Sequence, residues 1–517
     1  MSDKQLRLQP DPTKKKKRKR RGPPNRMNDL AYKDWMKFQK SFFRHTSSQE
    51  LVERCIYFFT KAIWPDGQAS KTLVIGCEGF DHSPILAPRI VESYRHTPSF
   101  GDIVTTLREA RNTQFDFILI DLRRHIQNQA ALSVFLHDYA DQVFGLMRKL
   151  LREKRYGGVL VGLENDGGTG FPLPWSVALS CRDHLRLRDE KIGLIEDERR
   201  IFYCLFVQAN QDGRPAEPIL PGHIHMAEPN RRIPAWTIPK PPPRKKKEIL
   251  HPAKYPETLV QDFIELFTEP GDNVFDPMVG TGSTVIAAIR SGRNGYGIDL
   301  IREFVDIAEQ RIAAECRPML FEEYQPTTEG LVVVGDATHL DDVVRLSGTK
   351  FDYAITSPPY WSMLQNPGSE GQESRRKRKL RLVYSADERD LGNVQNYDEF
   401  LDLLEAVYAQ VAGMLVAHGH LTVVVKNVKR NHILYTLAWD LLLRLCGPEG
   451  EYDYVGTTLW CQDDVGLKPF AVGIHWVSNT LHHYCLHFRK GGDKRVGIPG
   501  ASGGVDRRKR VPAVSRR

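Results

Sequence analysis

The sequence predicts an α/β protein built from two mostly parallel sheets, the second a diverged repeat of the first. Short apolar runs alternate twice with amphipathic stretches, from Thr72 to about residue 210 and again from His251 to about Lys490. That alternation is the signature of parallel strands joined by helices. The two series also share an order of features. Gly101-Asp102 precedes FDFILID much as Gly335-Asp336 precedes FDYAITS, and each copy continues with a helix, a glycine-led strand and a closing strand, FYCLFVQ or HYCLHFR. Between the series lies a proline-rich basic stretch, IPKPPPRKKKEIL, that fits neither period.

The chain divides accordingly. Residues 1–27 form a basic tail expected to be disordered, and 28–210 a first α/β domain opened by helices, with Ser47 or Ser48 as a cap. Residues 211–250 are a linker, 251–490 the second domain, and 491–517 another basic tail. In the first domain TLVIGC, FDFILID, GGVLVGLE and RIFYCLFVQ are strands, and no strand ending on an acid equivalent to Asp299 of the second domain is expected between Gly79 and Phe100. In the second domain NVFDP, GYGIDL, LVVVGDA, FDYAITS, GHLTVVVKN and HHYCLHFRK are strands.

Charge is concentrated at the ends. Residues 1–27 carry +9 and 491–517 carry +6, so a total of +9 leaves −6 for residues 28–490. The tails are therefore fitted to contact phosphates without sequence preference. The eight cysteines are scattered with no C-x-x-C pair, which points to free thiols in a reducing compartment and to no metal site. No apolar run has the length of about 20 residues that a membrane span needs.

The second series carries the chemistry. VFDPMVGTGST (274–284) is a strand feeding a glycine-rich turn, a usual cradle for a nucleotide-like ligand. Gly280 and Gly282 let the backbone approach that ligand. Asp276 at the strand end is placed to receive an ammonium group. Twenty-three residues later, GYGIDL puts Asp299 where a carboxylate accepts both ribose hydroxyls, and GDAT puts Asp336 within reach of an adenine amino group. TSPPYW then ends the fourth strand with Ser357, Pro358, Pro359, Tyr360 and Trp361. Two prolines fix the chain in one extended shape there.

These motifs resemble the S-adenosylmethionine-dependent amino-methyltransferases of DNA. HPAKYPETLVQDFIELFTEPGDNVFDPMVGTGSTVIAA is similar to that family's signature, TSPPYW to its catalytic tetrapeptide, and LGNVQNYDEF to its downstream helix start. Two departures stand out. Met278 replaces the usual phenylalanine, and the cofactor motif precedes SPPY, a permuted order that leaves the place of target recognition open. The resemblance implies a Rossmann-like methyltransferase fold in two copies, the first degenerate and the second active. It implies S-adenosyl-L-methionine as cofactor, held along Lys254, Asp276, Pro277, Gly280, Thr281, Gly282, Asp299, Asp336 and Ala337.

In such a site Ser357 Oγ and the Pro358 carbonyl would bind the two hydrogens of an exocyclic amine. Tyr360 would stack on a flipped base and Trp361 would form another wall. The serine form resembles the cytosine-N4 branch, which is favoured here, with adenine N6 open. The basic run Arg375, Arg376, Lys377, Arg378, Lys379 and Arg381 would grip phosphates beside that base, extended by Lys426, Asn427, Lys429 and Arg430. The implied partner is DNA, within or outside restriction–modification. An RNA base methyltransferase and a catalytically silent nucleic-acid-binding protein stay open as alternatives. The implied location is the cytoplasm in a prokaryote or the nucleus in a eukaryote.

The first copy has DLRRH (Asp121–His125) where the second has SPPYW, and its first turn, IGCEGFDHSP, lacks Gly-x-Gly. It is expected to bind no cofactor, to pack on the second copy as an internal pseudo-dimer, and to offer Arg123, Arg124 and His125 as positive charge where the other copy has its pocket.

Overall fold

A computed structural model describes residues 27–81, 84–163, 170–209, 220, 222–239, 255–316, 328–361, 387–430, 433–467 and 475–492. Both expected sheets are present. The first contains β1 (Phe42–Arg44), β2 (Lys71–Ile75), β3 (Ile90–Tyr94), β4 (Phe115–Asp121), β5 (Leu151–Gly162), β6 (Arg186–Ile195) and β7 (Arg200–Gln208). Their order is β1-β6-β7-β5-β4-β2-β3.

The second sheet contains β8 (Trp236–Thr237), β9 (Asn273–Asp276), β10 (Asn294–Asp299), β11 (Gly330–Val334), β12 (Phe351–Thr356), β13 (Leu415–Val425), β16 (Tyr452–Cys461) and β17 (His482–Lys490). Their order is β11-β10-β9-β12-β13-β17-β16-β8. A small ribbon of β14 (Val428–Arg430) and β15 (Ile433–Tyr435) follows β13. In each sheet one strand, β7 or β17, runs antiparallel to both neighbours, and all other pairings are parallel.

The repeat extends to details that no spacing announces. Phe115 and Phe351 each pair one residue before a register shift, onto Leu151 and Leu415. Three residues beyond those leucines, Lys154 and His418 both take a left-handed φ, 63° and 62°. The Asp116 carboxylate accepts from Lys71 N at 3.0 Å, and Asp352 accepts from Asn273 N at 2.9 Å. Arg89 donates to the Thr60 hydroxyl at 3.0 Å, and Arg293 to that of Thr268 at 3.1 Å. One edge matches, since β1 lies parallel to β6 as β8 lies parallel to β16, while at the other the second sheet adds β11 beyond β10.

Three expectations need correction. β3 lies between Gly79 and Phe100 and was not among the strands read from the chain, its residues IVESY being too polar and exposed to read as apolar, although Arg95 rather than an acid follows it, as expected. β1 interrupts the helices of 28–70, although Ser47 does cap the helix Ser48–Phe59, accepting from Glu50 N. Residues 222–239, expected within a linker, instead line the second sheet, with His225 and Ala227 donating to Cys446 and Tyr454 carbonyls and β8 pairing with β16.

The two sheets meet in one continuous apolar core. Trp175 and Trp439, each third in the helix that follows β5 or the ribbon, stack with centroids 5.5 Å apart. The connection from β16 to β17 is long enough to insert Trp476, fully buried, among Phe58, Phe59, Tyr156 and Phe206 of the first copy.

Candidate active site

β9 ends on Asp276, which is fully buried. One carboxylate oxygen accepts from Met278 N at 3.0 Å, and the other from the hydroxyls of Tyr255 at 2.8 Å and Thr284 at 2.6 Å. Burial raises its pKa. The carboxylate expected to receive an ammonium group thus accepts three hydrogen bonds from its own chain and holds the turn that follows. In that turn Gly280 and Gly282 have φ of 55° and 82°, which an L side chain rarely adopts. A Cβ on Gly282 would stand 2.8 Å from that of Ala308. Arg311 grips the Thr281 carbonyl while pairing with Glu257, fixing the loop from behind.

The loop is joined to the next strand by Asp299. Its carboxylate accepts from Gly280 N and Ile301 N, both at 2.9 Å. Burial pushes its pKa up to about 6, and the negative charges of Asp276 and Asp390 add to that. After β11, Asp336 accepts from the Thr338 amide and hydroxyl at 2.9 and 2.7 Å. After β12, Ser357 Oγ lies 3.0 Å from the Tyr360 hydroxyl.

Pro277, Met278, Asp299, Leu300, Ile301, Phe304, Asp336, Ala337, Thr338, Ser357 and Pro359 face one cleft of about 660 Å³, open to solvent. Its size and its few polar groups on apolar walls are those of a small-molecule site. The parallel strands deliver these residues together because their carboxyl ends share one edge of the sheet.

The opposite wall was missed by sequence reasoning. It consists of Arg389, Asp390 and Leu391. Asp390 accepts from Gly392 N at 2.9 Å and so shapes the turn Leu391–Asn393. Leu391 opens the LGNVQNYDEF stretch already singled out, while Arg389 and Asp390 lie just before it; Asn396 of that stretch caps the helix Tyr397–Met414. Lys254 and the run from Arg375 to Arg381 lie outside the described residues.

Three other site expectations change. Trp361 forms no wall of the cleft. It is 4% exposed, has φ of 47°, and packs against Tyr397 and Tyr435 with the Arg430 guanidinium over its ring. Tyr360 is also buried, beside His483 and Lys426, so its hydroxyl rather than an open ring face is what meets Ser357. Asn427 and Lys429, expected to extend a phosphate-binding patch, are committed to the first copy, bonding Glu190 at 2.9 Å and Asp189 at 2.5 Å.

The first copy answers each of these positions differently. By strand register Val74 stands where the second copy has Asp276, Arg95 where it has Asp299, and Asp121 where it has Ser357. Arg123 chelates Asp121 with bonds of 2.9 and 2.7 Å. Arg124 pairs with Glu78, and the His125 ring meets the Thr97 carbonyl. Each of the three side chains expected to offer positive charge thus has a partner inside the copy.

Residues 209–310 match the model of the N6/N4 methyltransferase family described as DNA methylase. This part of the chain is similar to the N6/N4 DNA methylases. Among curated relatives, the type II methyltransferase M.BglII of Bacillus subtilis is 37% identical over 70 residues, which is 14% of this chain and 19% of its own length. The type II methyltransferase M2.DpnII of Streptococcus pneumoniae is 43% identical over 65 residues, 13% of this chain and 24% of its own length. M.MthZI of Methanothermobacter thermautotrophicus is 45% identical over 60 residues, 12% of this chain and 17% of its own length. The chain thus spans less than a third of the length of the curated relatives it matches. The matched segment contains β8 to β10 and so carries Asp276, the glycine turn and Asp299.

Proposed function

We propose that the protein transfers a methyl group from S-adenosyl-L-methionine to an exocyclic amine in DNA, N4 of cytosine in preference to N6 of adenine. One observation carries this reading: Ser357 and Pro359 of the SPPYW segment open on the same cleft as the strand-end carboxylates Asp299 and Asp336. The residues present fit the cofactor. Each Asp299 oxygen spends one acceptor position on a backbone amide and keeps another for a hydroxyl. Leu300, Ile301, Phe304 and Ala337 offer flat apolar walls beside it. Asp299 would take the ribose hydroxyls and Asp336 the adenine amino group, while Asp276 holds the turn on which both depend.

When bound, the cofactor supplies an electrophilic methyl group. An exocyclic amine is a poor nucleophile because its lone pair is delocalised into the ring. Acceptors at fixed positions bind its hydrogens and keep the lone pair free. With its own proton given to the Tyr360 oxygen, Ser357 Oγ has both lone pairs for the amine. Pro358, buried and rigid, contributes its carbonyl as the second acceptor. Positioning of this kind supplies most of the rate, and no side-chain nucleophile is required.

The two copies act, in this reading, as an internal pseudo-dimer whose first copy is a scaffold. Equivalent residues meeting each other, Trp175 on Trp439 and Tyr203 beside Tyr484, support two-fold pairing. Labelled-methyl transfer into duplex and single-stranded DNA and into RNA, followed by nucleoside mass spectrometry, tests the proposal. Label in N4-methylcytosine is expected. Label in RNA alone moves the substrate class, and no label with the cofactor bound refutes the reaction.

A further inference from the structure

β6 carries four consecutive charged residues, Arg188-Asp189-Glu190-Lys191, and all four are buried, at 1%, 0%, 1% and 3% exposure. Burying one charge is costly, so a run of four needs partners that repay desolvation. The two carboxylates find theirs in the other copy. Asp189 pairs with Lys429 at 2.5 Å and also accepts from Ser478 N. Lys429 donates further to the Ser478 carbonyl at 3.1 Å. Glu190 accepts from the Asn427 amide at 2.9 Å, and the same Asn427 side chain accepts from Ala438 N at 3.1 Å.

Asn427 and Lys429 alternate with two cations that face the SPPYW segment. Lys426 lies over the Tyr360 ring, 5.6 Å from its centroid, and Arg430 over the Trp361 ring at 4.7 Å. Trp361 is held at φ of 47°, a conformation that a bulky residue keeps only when its surroundings impose it. The cage of Tyr397, Tyr435 and Arg430 supplies that restraint. Its position depends on where the segment 426–430 is held, by the β14–β15 ribbon within its own copy and by Asp189 and Glu190 from the other.

We infer that Asp189 and Glu190 of the degenerate copy are positioning residues for methyl transfer in the other copy. Through Lys429 and Asn427 they fix Lys426 and Arg430, and hence the rings of Tyr360 and Trp361 that set Ser357 against the target amine. This rests on the methyltransferase reading above and gives the silent copy a specific task in it. Neither carboxylate touches the cleft, so their loss should leave the cofactor bound and slow the chemistry.

The test compares Asp189→Asn, Lys429→Met and the double variant in the full chain. Each single variant is expected to lower kcat at least tenfold while the Kd for S-adenosylmethionine stays within twofold. The double variant is expected to be no slower than the slower single, because both remove one shared link. Hydrogen exchange should rise in peptides covering 353–361 and 426–430 and stay unchanged in β2 and β4. If Asp189→Asn does not fold, Lys429→Met carries the same comparison from the less buried side. An unchanged kcat, an equal loss of cofactor affinity, or multiplying effects in the double would overturn the inference. Should the wild type methylate nothing, the proposed function fails, whereas the exchange comparison still decides whether the clamp exists.

Discussion

Asp299 is the residue on which the cofactor reading turns, and its pKa gives that reading a pH signature. The folded carboxyl titrates at about 6, above the usual carboxylate value. Its stabilising contribution to the cofactor-free fold is therefore present below about pH 4 and lost as pH rises through about 6. Cofactor binding has the opposite sense, because only the ionised carboxylate accepts two hydroxyl hydrogens. Affinity measured by calorimetry should fall about tenfold from pH 7 to pH 5, with proton release on binding near pH 6. Asp299→Asn should flatten that profile and weaken binding by about 1–3 kcal/mol. A profile that is flat in the wild type would contradict the assignment. Ser357→Ala should leave affinity unchanged and slow transfer roughly 100-fold, the scale of one lost transition-state hydrogen bond. Tyr360→Phe should slow it about tenfold by removing the acceptor for the serine proton. These carboxylates and the serine were legible in the sequence because strand ends are marked by apolar runs. The internal hydrogen bonds of Asp276 and the burial of Tyr360 and Trp361 were not, since they depend on Tyr255, Thr284, Tyr397 and Tyr435 arriving from distant segments.

At the level of elements, the glycine turn shows how narrowly the cleft's floor is built. Gly282 needs a left-handed φ and touches Ala308, so Gly282→Ala combines backbone strain with overpacking. The cost should be about 2–4 kcal/mol, read as a lower denaturant midpoint at unchanged slope. Gly271→Ala, also left-handed but with nothing within 4 Å of its Cβ, should cost only the strain, about 1–2 kcal/mol. Equal losses at the two positions would show that the contact with the helix Arg302–Glu315 does not matter. Strands with apolar runs, such as β4, β9, β12 and β17, were read directly from the chain. β6 was hidden because its RDEK run reads as surface, and its burial follows from cross-copy ion pairs that no local pattern encodes. β3 was hidden for the opposite reason, being a short exposed edge with little apolar content.

Across the whole molecule, two copies of one topology share a core, and only one keeps the polar groups a methyl donor needs. Trp476→Ala would empty the pocket that joins them and should destabilise the chain by about 3–5 kcal/mol. Its unfolding should stay a single transition if the copies are truly interdependent; two separated transitions at wild-type midpoints would mean that they are not. With Val74, Arg95 and the Asp121–Arg123 pair standing where the other copy has its cofactor and acceptor groups, calorimetric titration should give one cofactor per chain. The repeat itself was legible from FDFILID and FDYAITS and from the glycine-led and closing strands, but not from Gly101-Asp102, which opens the helix Phe100–Glu109 whereas Gly335-Asp336 follows β11; its likeness in hydrogen bonds and bulges, and the crossing of Trp476, required the folded chain. The most direct measurement is transfer of labelled methyl from S-adenosylmethionine into DNA, read by nucleoside mass spectrometry for the wild type and Ser357→Ala. Label in N4-methylcytosine, lost in the variant with cofactor affinity intact, is the predicted result; a wild type that binds cofactor yet labels no DNA base would contradict it.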